Sequence, residues 1–255
     1  MRERTDLVTS FIILPIDAFS GKPITDPDFC VQAAGEKKPL VKADGYRVFM
    51  KAQKNPAEVA LFGTYFQAKR ITVPLAQEER MPPVLTVFVL PDRSYPFPPG
   101  TAFLEGKRKG RAALEIAGDC RRARVKLRLD AVQGERRIAL YQQEQRNLSG
   151  RTFLLTDPGK GGPGEWVKAL SLESLHSDLY LLEEALQYPH AKIGTHVIYA
   201  QRYEAGAAEE SYFAAFPSAR GEEPFFVYGR LKARDESRES VCRLKAGGSQ
   251  TFDFL

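Results

Sequence analysis

The sequence predicts an all-β protein of two or three tandem β-sandwich-like domains with at most one short helix. Short runs of alternating apolar and polar residues recur along the chain, and each is bounded by turn residues. Seventeen Pro and 20 Gly in 255 residues fit many turns better than long helices. An apolar content of 43% is sufficient for ordinary hydrophobic cores, so extensive disorder is not expected.

The first predicted strand is FIILPI, residues 11–16. This apolar run is too short for a signal-peptide core, contains Pro15 and is not followed by a clear cleavage site. No run of the chain approaches the roughly 18 apolar residues of a membrane-spanning helix. We therefore expect a cytoplasmic protein that does not insert into membranes, and that is released, if at all, as part of a particle.

Turn signals divide the next 60 residues into further strands. Gly21 and Pro23 mark a tight connection in which Asp17 accepts local backbone hydrogen bonds. Asp44 and Gly45 form a hairpin-type turn. The strand after this turn has an apolar face (Tyr46, Val48, Met50) and a mixed face (Arg47, Phe49, Lys51). EVALFGTYF and KRITVPL supply two more strands.

These residues carry a resemblance to a known family. The order DAFSGKPI, then PLVKADGYRVF, then YFQAKRITVPL resembles the transthyretin-like, carboxypeptidase-regulatory-like β-sandwich modules. The resemblance covers residues 11–75, although the family's small-residue A-x-V strand is missing from the irregular segment FCVQAAGEKKPLVKADG. It implies a seven-stranded sandwich that acts as a spacer or binding module, and it implies no catalytic residue.

Composition changes place the domain boundaries. The charged and then proline-rich segment at residues 76–84 separates a sandwich at 1–78 from a β-rich domain at 84–160. The turn-forming stretch DPGKGGPGEW, residues 157–166, separates that region from a third at 165–255, and the last two form either one domain or two. VLTVFVL resumes as a buried strand after the first boundary, and PDRSYPFPPGT is an extended connector or sheet edge.

In the second half, ARVKLRLDA (residues 123–131) has the clearest alternation, and RRIALYQQ is expected to pair with it. SLESLHSDLYLLEEALQY, residues 171–188, has leucines at three- and four-residue steps that predict a helix. Its segment DLYLLEEAL is equally compatible with a strand and a turn. THVIYAQRY, ESYFAAF and PFFVYGRLKA are predicted strands.

The catalytic and metal-binding motifs that we sought are missing. His176, His190 and His196 do not have zinc-ligand spacing, and His196 alternates with Ile198 as a packed or surface residue of a strand would. The GKGGPG segment lacks the hydroxyl residue and the helix of a phosphate-binding loop, and no GxSxG sequence occurs. Cys30, Cys120 and Cys242 are odd in number and far apart, which favours free thiols. We expect a non-enzymatic protein without cofactor or metal.

Positive charge is concentrated in one region. Residues 101–151 contain 13 Lys and Arg against 6 Asp and Glu, in a chain of net charge +5. The alternation of the predicted strand places Arg122, Arg124, Lys126 and Arg128 in one solvent-facing stripe. The stripe contains none of the aromatic residues that single-stranded nucleic-acid sites use for stacking, so a solvated face or contact with an acidic protein is favoured.

Aromatic residues beside Pro and Gly are the other candidate contacts. Tyr95, Phe97 and Trp166 lie in predicted loops, where they either anchor the loops or bind a partner or a sugar. Phe252 and Phe254 alternate with polar residues in the tail QTFDFL, which could add a strand to a neighbouring subunit.

The sequence therefore favours a structural or adaptor subunit of a larger assembly, such as a phage-tail-like or contractile-injection particle, in contact with other protein subunits as an oligomer or hetero-complex. The alternative is a β-sandwich module that binds carbohydrate or peptide. A third, less favoured function is nucleic-acid binding, which predicts an affinity that falls steeply with salt and is lost on reversing the charges of Arg124 and Arg128.

Overall fold

The computed structural model describes residues 9–50, 52, 55–75, 82–109, 112–141, 149–157, 164–172, 178–204, 209–233 and 236–254. Within these residues the chain forms 19 strands, and the one helical element is a single 3₁₀ turn. The predicted all-β fold class is therefore confirmed. The chain divides into two compact units, residues 1–96 and 97–255, which are described separately.

Unit 1 is a sandwich of seven strands. In chain order these are β1 (Thr9–Asp17), β2 (Cys30–Ala33), β3 (Leu40–Val41), β4 (Arg47–Met50), β5 (Ala57–Gly63), β6 (Phe66–Val73) and β7 (Val84–Val89). One sheet has the order β3-β4-β1-β7 and the other β2-β5-β6. The buried faces of both sheets contribute to one apolar core, in which Phe11 and Phe49 stack with ring centroids 4.5 Å apart.

The turns of unit 1 form as the sequence predicts. Asp17 Oδ1 accepts a hydrogen bond from the Phe19 backbone N–H at 2.8 Å. Gly45 has a φ of +94°, and a Cβ added there would lie 3.1 Å from Pro23. Glycine is therefore required at this turn both for its backbone conformation and for the close approach of Pro23.

The orientation of β4 is a correction to the expected faces. Arg47 and Phe49, rather than the more apolar set of Tyr46, Val48 and Met50, point into the core. Arg47 is only 1% exposed and donates hydrogen bonds to the carbonyl oxygens of Gly45 at 2.9 Å and Ile24 at 3.5 Å. Its desolvation lowers the pKa of the guanidinium. These carbonyl partners compensate for burying a polar side chain on a face that the sequence pattern would leave exposed.

Unit 2 contains the other twelve strands. These are β8 (Ala102–Lys109), β9 (Ala113–Gly118), β10 (Arg124–Val125), β11 (Arg137–Ala139), β12 (Thr152–Thr156), β13 (Glu165–Leu172), β14 (Leu179–Leu182), β15 (His196–Tyr203), β16 (Glu209–Phe216), β17 (Phe225–Lys232), β18 (Ser237–Leu244) and β19 (Ser249–Thr251). The large sheet has the order β11-β14-β13-β12-β15-β9-β17-β18, with β10 paired to β15. A small sheet has the order β16-β8-β19.

Three sequence expectations differ from this arrangement. The predicted helix at 171–188 is wrong where it is described, because residues 179–182 form β14, and the strand alternative is confirmed. ARVKLRLDA contains only the two-residue strand β10, preceded by the 3₁₀ helix Arg121–Ala123. The strand at 84–89, placed after the first boundary by the sequence, pairs with β1 of unit 1, and the division of the chain follows Pro96.

RRIALYQQ pairs with the basic segment only locally. Leu127 and Leu140 form an isolated bridge, whereas the main partner of β11 is β14. Residues 158–163 of the predicted loop, and His176 of the predicted helix, lie outside the described residues.

The C-terminal segment is part of unit 2. β19 pairs in parallel with β8, and Phe254 continues this pairing with a bridge to Arg108. Phe254 is 2% exposed, and a Cβ on Gly229 would overlap its ring. The tail that the sequence offered as a free strand is thus already paired within its own chain.

Candidate functional site

A basic cleft lies on unit 2. Its volume is about 900 Å³, and its lining residues are Arg121, Arg124, Val125, Lys126, Leu127, Tyr141, Lys192, Ile193, Gly194, Thr195 and His196. Four of these residues carry permanent positive charges, and none of the lining residues is acidic. The cleft is therefore suited to an anionic partner with some apolar surface.

Asp119 contacts two of the residues that line the cleft. It directly follows β9, is 5% exposed, and its Oδ1 accepts a hydrogen bond from Arg124 Nε at 2.7 Å. Its Oδ2 lies 3.0 Å from His196 Nδ1. Because one buried carboxylate contacts both side chains, their orientation at the cleft is set before any partner binds.

The loop between β14 and β15 also contributes to the lining of the cleft. Glu165 Oε1 accepts the Gln187 N–H at 2.6 Å, and its Oε2 lies 3.0 Å from the Nε2 of the buried His190. Further along the loop, the Lys192 N–H donates to Asp130 Oδ1 at 2.6 Å. These buried and local polar contacts fix the backbone that presents Lys192 and Ile193 to solvent.

Two apolar side chains accompany the cations. Ile193 is 88% exposed and Tyr141 is 43% exposed. The Tyr141 N–H donates to the Lys126 carbonyl at 2.9 Å, which places the ring beside the basic segment, and Lys192 Nζ lies 5.8 Å from the centroid of that ring. Ile193 and Tyr141 therefore add exposed apolar surface to the lining of the cleft.

The structure divides the predicted basic stripe. Arg124 and Lys126 line the cleft, whereas Arg122 is exposed and is not among the lining residues. Arg128 also lies outside the lining and forms an ion pair with Asp178. The inside–outside alternation of the segment persists, because Ala123, Val125 and Leu127 are buried. Only two of the four basic residues nevertheless line the cleft.

Sequence reasoning missed Arg121, Tyr141, Lys192, Ile193 and His196 as members of this site. A weak signal was present in AKIGT (residues 191–195), where an isoleucine lies between a lysine and a glycine in a turn that offers it no regular apolar face. The stripe itself contains no aromatic residue, as the sequence shows, but the structure places Tyr141 beside it in the lining of the cleft.

The predicted aromatic contacts have partners within their own units. In unit 1, the Tyr95 hydroxyl donates to Asp17 Oδ2 at 2.7 Å, and burial, followed by this hydrogen bond, raises its pKa well above the ordinary value. In unit 2, Phe97 packs against Phe103, with ring centroids 5.1 Å apart. Trp166 has the guanidinium of Arg230 4.9 Å from its ring centroid. Each of the three aromatic residues therefore has a contact that could anchor its segment, which is the alternative to partner binding.

The tail residues are anchored as well. Phe252 and Phe254 contact each other with ring centroids 5.0 Å apart, and the Phe252 carbonyl oxygen accepts the Tyr212 hydroxyl. One edge of β19 is paired with β8, so only its other edge could pair with a strand of a neighbouring subunit.

The lining of the cleft supplies positive charge and hydrogen-bonding groups. The Thr195 hydroxyl donates to Asp157, so it is engaged away from His196. In the described part of the chain, no group of three or more His, Cys, Asp or Glu has an arrangement suited to a metal ion. Burial raises the pKa of the Cys120 thiol to about 12, which keeps this cysteine protonated and poorly nucleophilic at neutral pH.

No protein-family model, curated protein or solved structure matches this chain. No helix in the described ranges has the length and hydrophobicity needed to cross a bilayer.

Proposed function

We propose that this chain is a non-enzymatic structural or adaptor subunit of a larger protein assembly, and that its basic cleft binds an acidic segment of a neighbouring subunit. The cleft carries the proposal, because it combines four permanent cations with an 88% exposed isoleucine on an anchored loop. A phage-tail-like or contractile-injection particle is the type of assembly that we propose. In such an assembly, unit 1 would be a transthyretin-like spacer.

The partner segment should contain carboxylates and at least one apolar side chain. Carboxylates would pair with Lys126, Lys192 and the exposed part of Arg124, and the apolar side chain would cover Ile193 and the Tyr141 ring. Such a contact shields both kinds of surface at once and gives an interface with an apolar centre and a charged rim. The same features support the second candidate function, a peptide-binding module, more than carbohydrate binding.

The first test is sedimentation of the native protein from a lysate of its own host cells. We expect migration with particles in the megadalton range, and migration as a free chain would contradict the assembly proposal. The same experiment with the double variant Lys126→Glu and Lys192→Glu should release the chain from the particles. Lys37→Glu with Lys38→Glu is the matched control, because it changes the net charge equally at exposed positions of unit 1.

Binding assays with the purified protein distinguish the possible partners of the cleft. An acidic peptide of alternating Glu and Phe should bind the wild type, and the cleft double variant should lose at least about tenfold in affinity. Binding of a labelled oligothymidylate with a steep salt dependence, in place of the peptide, would support the nucleic-acid function instead. Binding of neither probe would leave the cleft without its proposed role.

A further inference from the structure

Strand β18 ends the large sheet of unit 2 and has an open edge. The strand order of the sheet places β17 on one side of β18, and no other described strand pairs with β18. The strand is eight residues long, and all of its residues except Cys242 and Leu244 are exposed. A long exposed edge presents a row of backbone donors and acceptors that another strand can pair with.

The backbone hydrogen bonds of residues 225–233 and 236–244 show which backbone groups face this edge. The Ala233 N–H donates to the Glu236 carbonyl at 2.9 Å, so residues 238, 240, 242 and 244 should continue the hydrogen bonding to β17. The carbonyl oxygen of Phe226, the register partner of Arg243, instead accepts a hydrogen bond from the Asp119 N–H on the other side of β17. Ser237, Glu239, Val241 and Arg243 therefore direct their N–H and C=O groups to the open edge.

We propose that the open edge of β18 binds β18 of a second copy of this chain, in antiparallel pairing about a twofold axis at Val241. Only registers that place outward-facing residues opposite each other can form the hydrogen bonds. In the register centred on Val241, Glu239 of each copy lies opposite Arg243 of the other. The twofold axis generates this pair twice, so the strand is complementary to itself in charge.

The two neighbouring allowed registers are less favourable. Centring the axis on Ser240 places Glu239 opposite Val241 and Ser237 opposite Arg243, so both charges lose their partners. Centring it on Cys242 places Arg243 opposite Val241 and Glu239 opposite Lys245, which lies beyond the end of β18. In the favoured register, Val241 of one copy meets Val241 of the other on the face that also carries Phe226, and these side chains are 54% and 47% exposed in the single chain. Pairing would thus bury an apolar strip between two ion pairs.

Other eight-residue edge strands do not have this complementarity. β16 ends the small sheet of unit 2, and its only charged residues are Glu209 and Glu210. β6 ends a sheet of unit 1, and its only charged residues are Lys69 and Arg70. Antiparallel self-pairing of either strand would bring no opposite charges together, whereas β18 has both signs at matching positions.

The proposal is tested by sedimentation velocity of the purified full chain at concentrations from about 1 to about 200 µM. We expect a reversible dimer of the wild type. Glu239→Arg and Arg243→Glu should each raise the dimer dissociation constant by about tenfold or more, because each places like charges at two symmetric positions. Glu236→Arg and Lys245→Glu make the same charge changes at exposed residues outside the ion pairs and should leave the constant unchanged.

An equimolar mixture of the two single variants distinguishes this interface from general damage. Positions 239 and 243 would both be arginine in one chain and both be glutamate in the other, so every facing pair would again join opposite charges. A heterodimer should therefore form with nearly wild-type affinity, detectable by native mass spectrometry. The double variant Glu239→Arg and Arg243→Glu should also dimerise. A monomer at all concentrations, a dimer insensitive to the reversals, or no recovery in the mixture would each overturn the proposal.

Discussion

Replacing Glu115 with Gln tests the buried ion pair between Glu115 and Arg230 in unit 2. Glu115 is 2% exposed, and its Oε2 accepts hydrogen bonds from Arg230 Nε at 2.9 Å and Nη2 at 2.6 Å. Its Oε1 accepts a third from Thr152 at 3.3 Å. The substitution keeps the shape of the side chain and removes its charge, which leaves the guanidinium of Arg230 partly buried without its anion.

The expected cost follows from this geometry. Removing one partner of a buried ion pair costs about 3 to 5 kcal/mol, and the lower end applies here because Arg230 is 15% exposed and retains some contact with water. For a unit of this size, about 3 kcal/mol corresponds to a fall in Tm of about 6 to 12 °C. Asp178→Ala removes the exposed pair with Arg128 and serves as the control, with an expected cost below about 1 kcal/mol.

The assay is thermal denaturation followed by tryptophan fluorescence. Trp166 is the single tryptophan of the chain, and Arg230 stacks on it, so the signal reports on unit 2 at the perturbed site. Equal melting temperatures for the Glu115→Gln and Asp178→Ala variants would refute the reasoning, because burial would then have no effect on the value of the ion pair. Replacing both Glu115 and Arg230 with Leu and Met should recover much of the loss, since no charge stays buried alone.

Two further predictions concern the core of unit 2. Gly229→Ala should displace the ring of Phe254 and lower the free energy of unfolding by about 1 to 3 kcal/mol, measured in urea. The same change should cost little in a Phe254→Ala background, and additive losses would show that the two sites are independent. Cys120, with a pKa raised by burial from 9.0 to about 12, should resist alkylation in the folded protein at pH 8 and react after unfolding. Because its folded pKa is the higher one, its contribution to stability is complete below pH 9 and is lost as the pH rises towards 12, which pH-dependent unfolding of a Cys120→Ala variant would check.

The fold class was predictable because strand periodicity and turn residues are local signals. The first strand and the Asp44–Gly45 turn follow from such signals, and the predicted strands EVALFGTYF and KRITVPL overlap the observed strands at 57–63 and 66–73. Arg47 shows their limit, since its burial depends on carbonyl groups contributed by the Ile24 segment and the Gly45 turn. The leucine spacing at 171–188 predicted a helix, and this was wrong. Leucines at three- and four-residue steps are also compatible with a short strand in which alternate residues, here Tyr180 and Leu182, are buried.

The candidate site was only half predictable. The run of basic residues at 120–128 is visible in the sequence, and its inside–outside alternation is present in the structure, but only Arg124 and Lys126 of the expected stripe line the cleft. Lys192 and Ile193 come from a segment more than 60 residues away, and no local pattern connects them to it. β18 was not predicted at all, because an exposed edge strand has too few apolar residues to show alternation.

The pairing of β19 with β8 has a consequence for protein synthesis. Lys107 and Asp253, which share a hydrogen bond across this pairing, are 146 residues apart. At about 5 to 20 residues per second, β8 leaves the ribosome roughly 7 to 30 s before the strand that completes its sheet. During translation, β8 and its apolar side chains, including Leu104, lack the pairing with β19 until the C-terminal segment has been synthesised. Nascent chains of unit 2 are therefore expected to depend on chaperones until Phe254 has emerged.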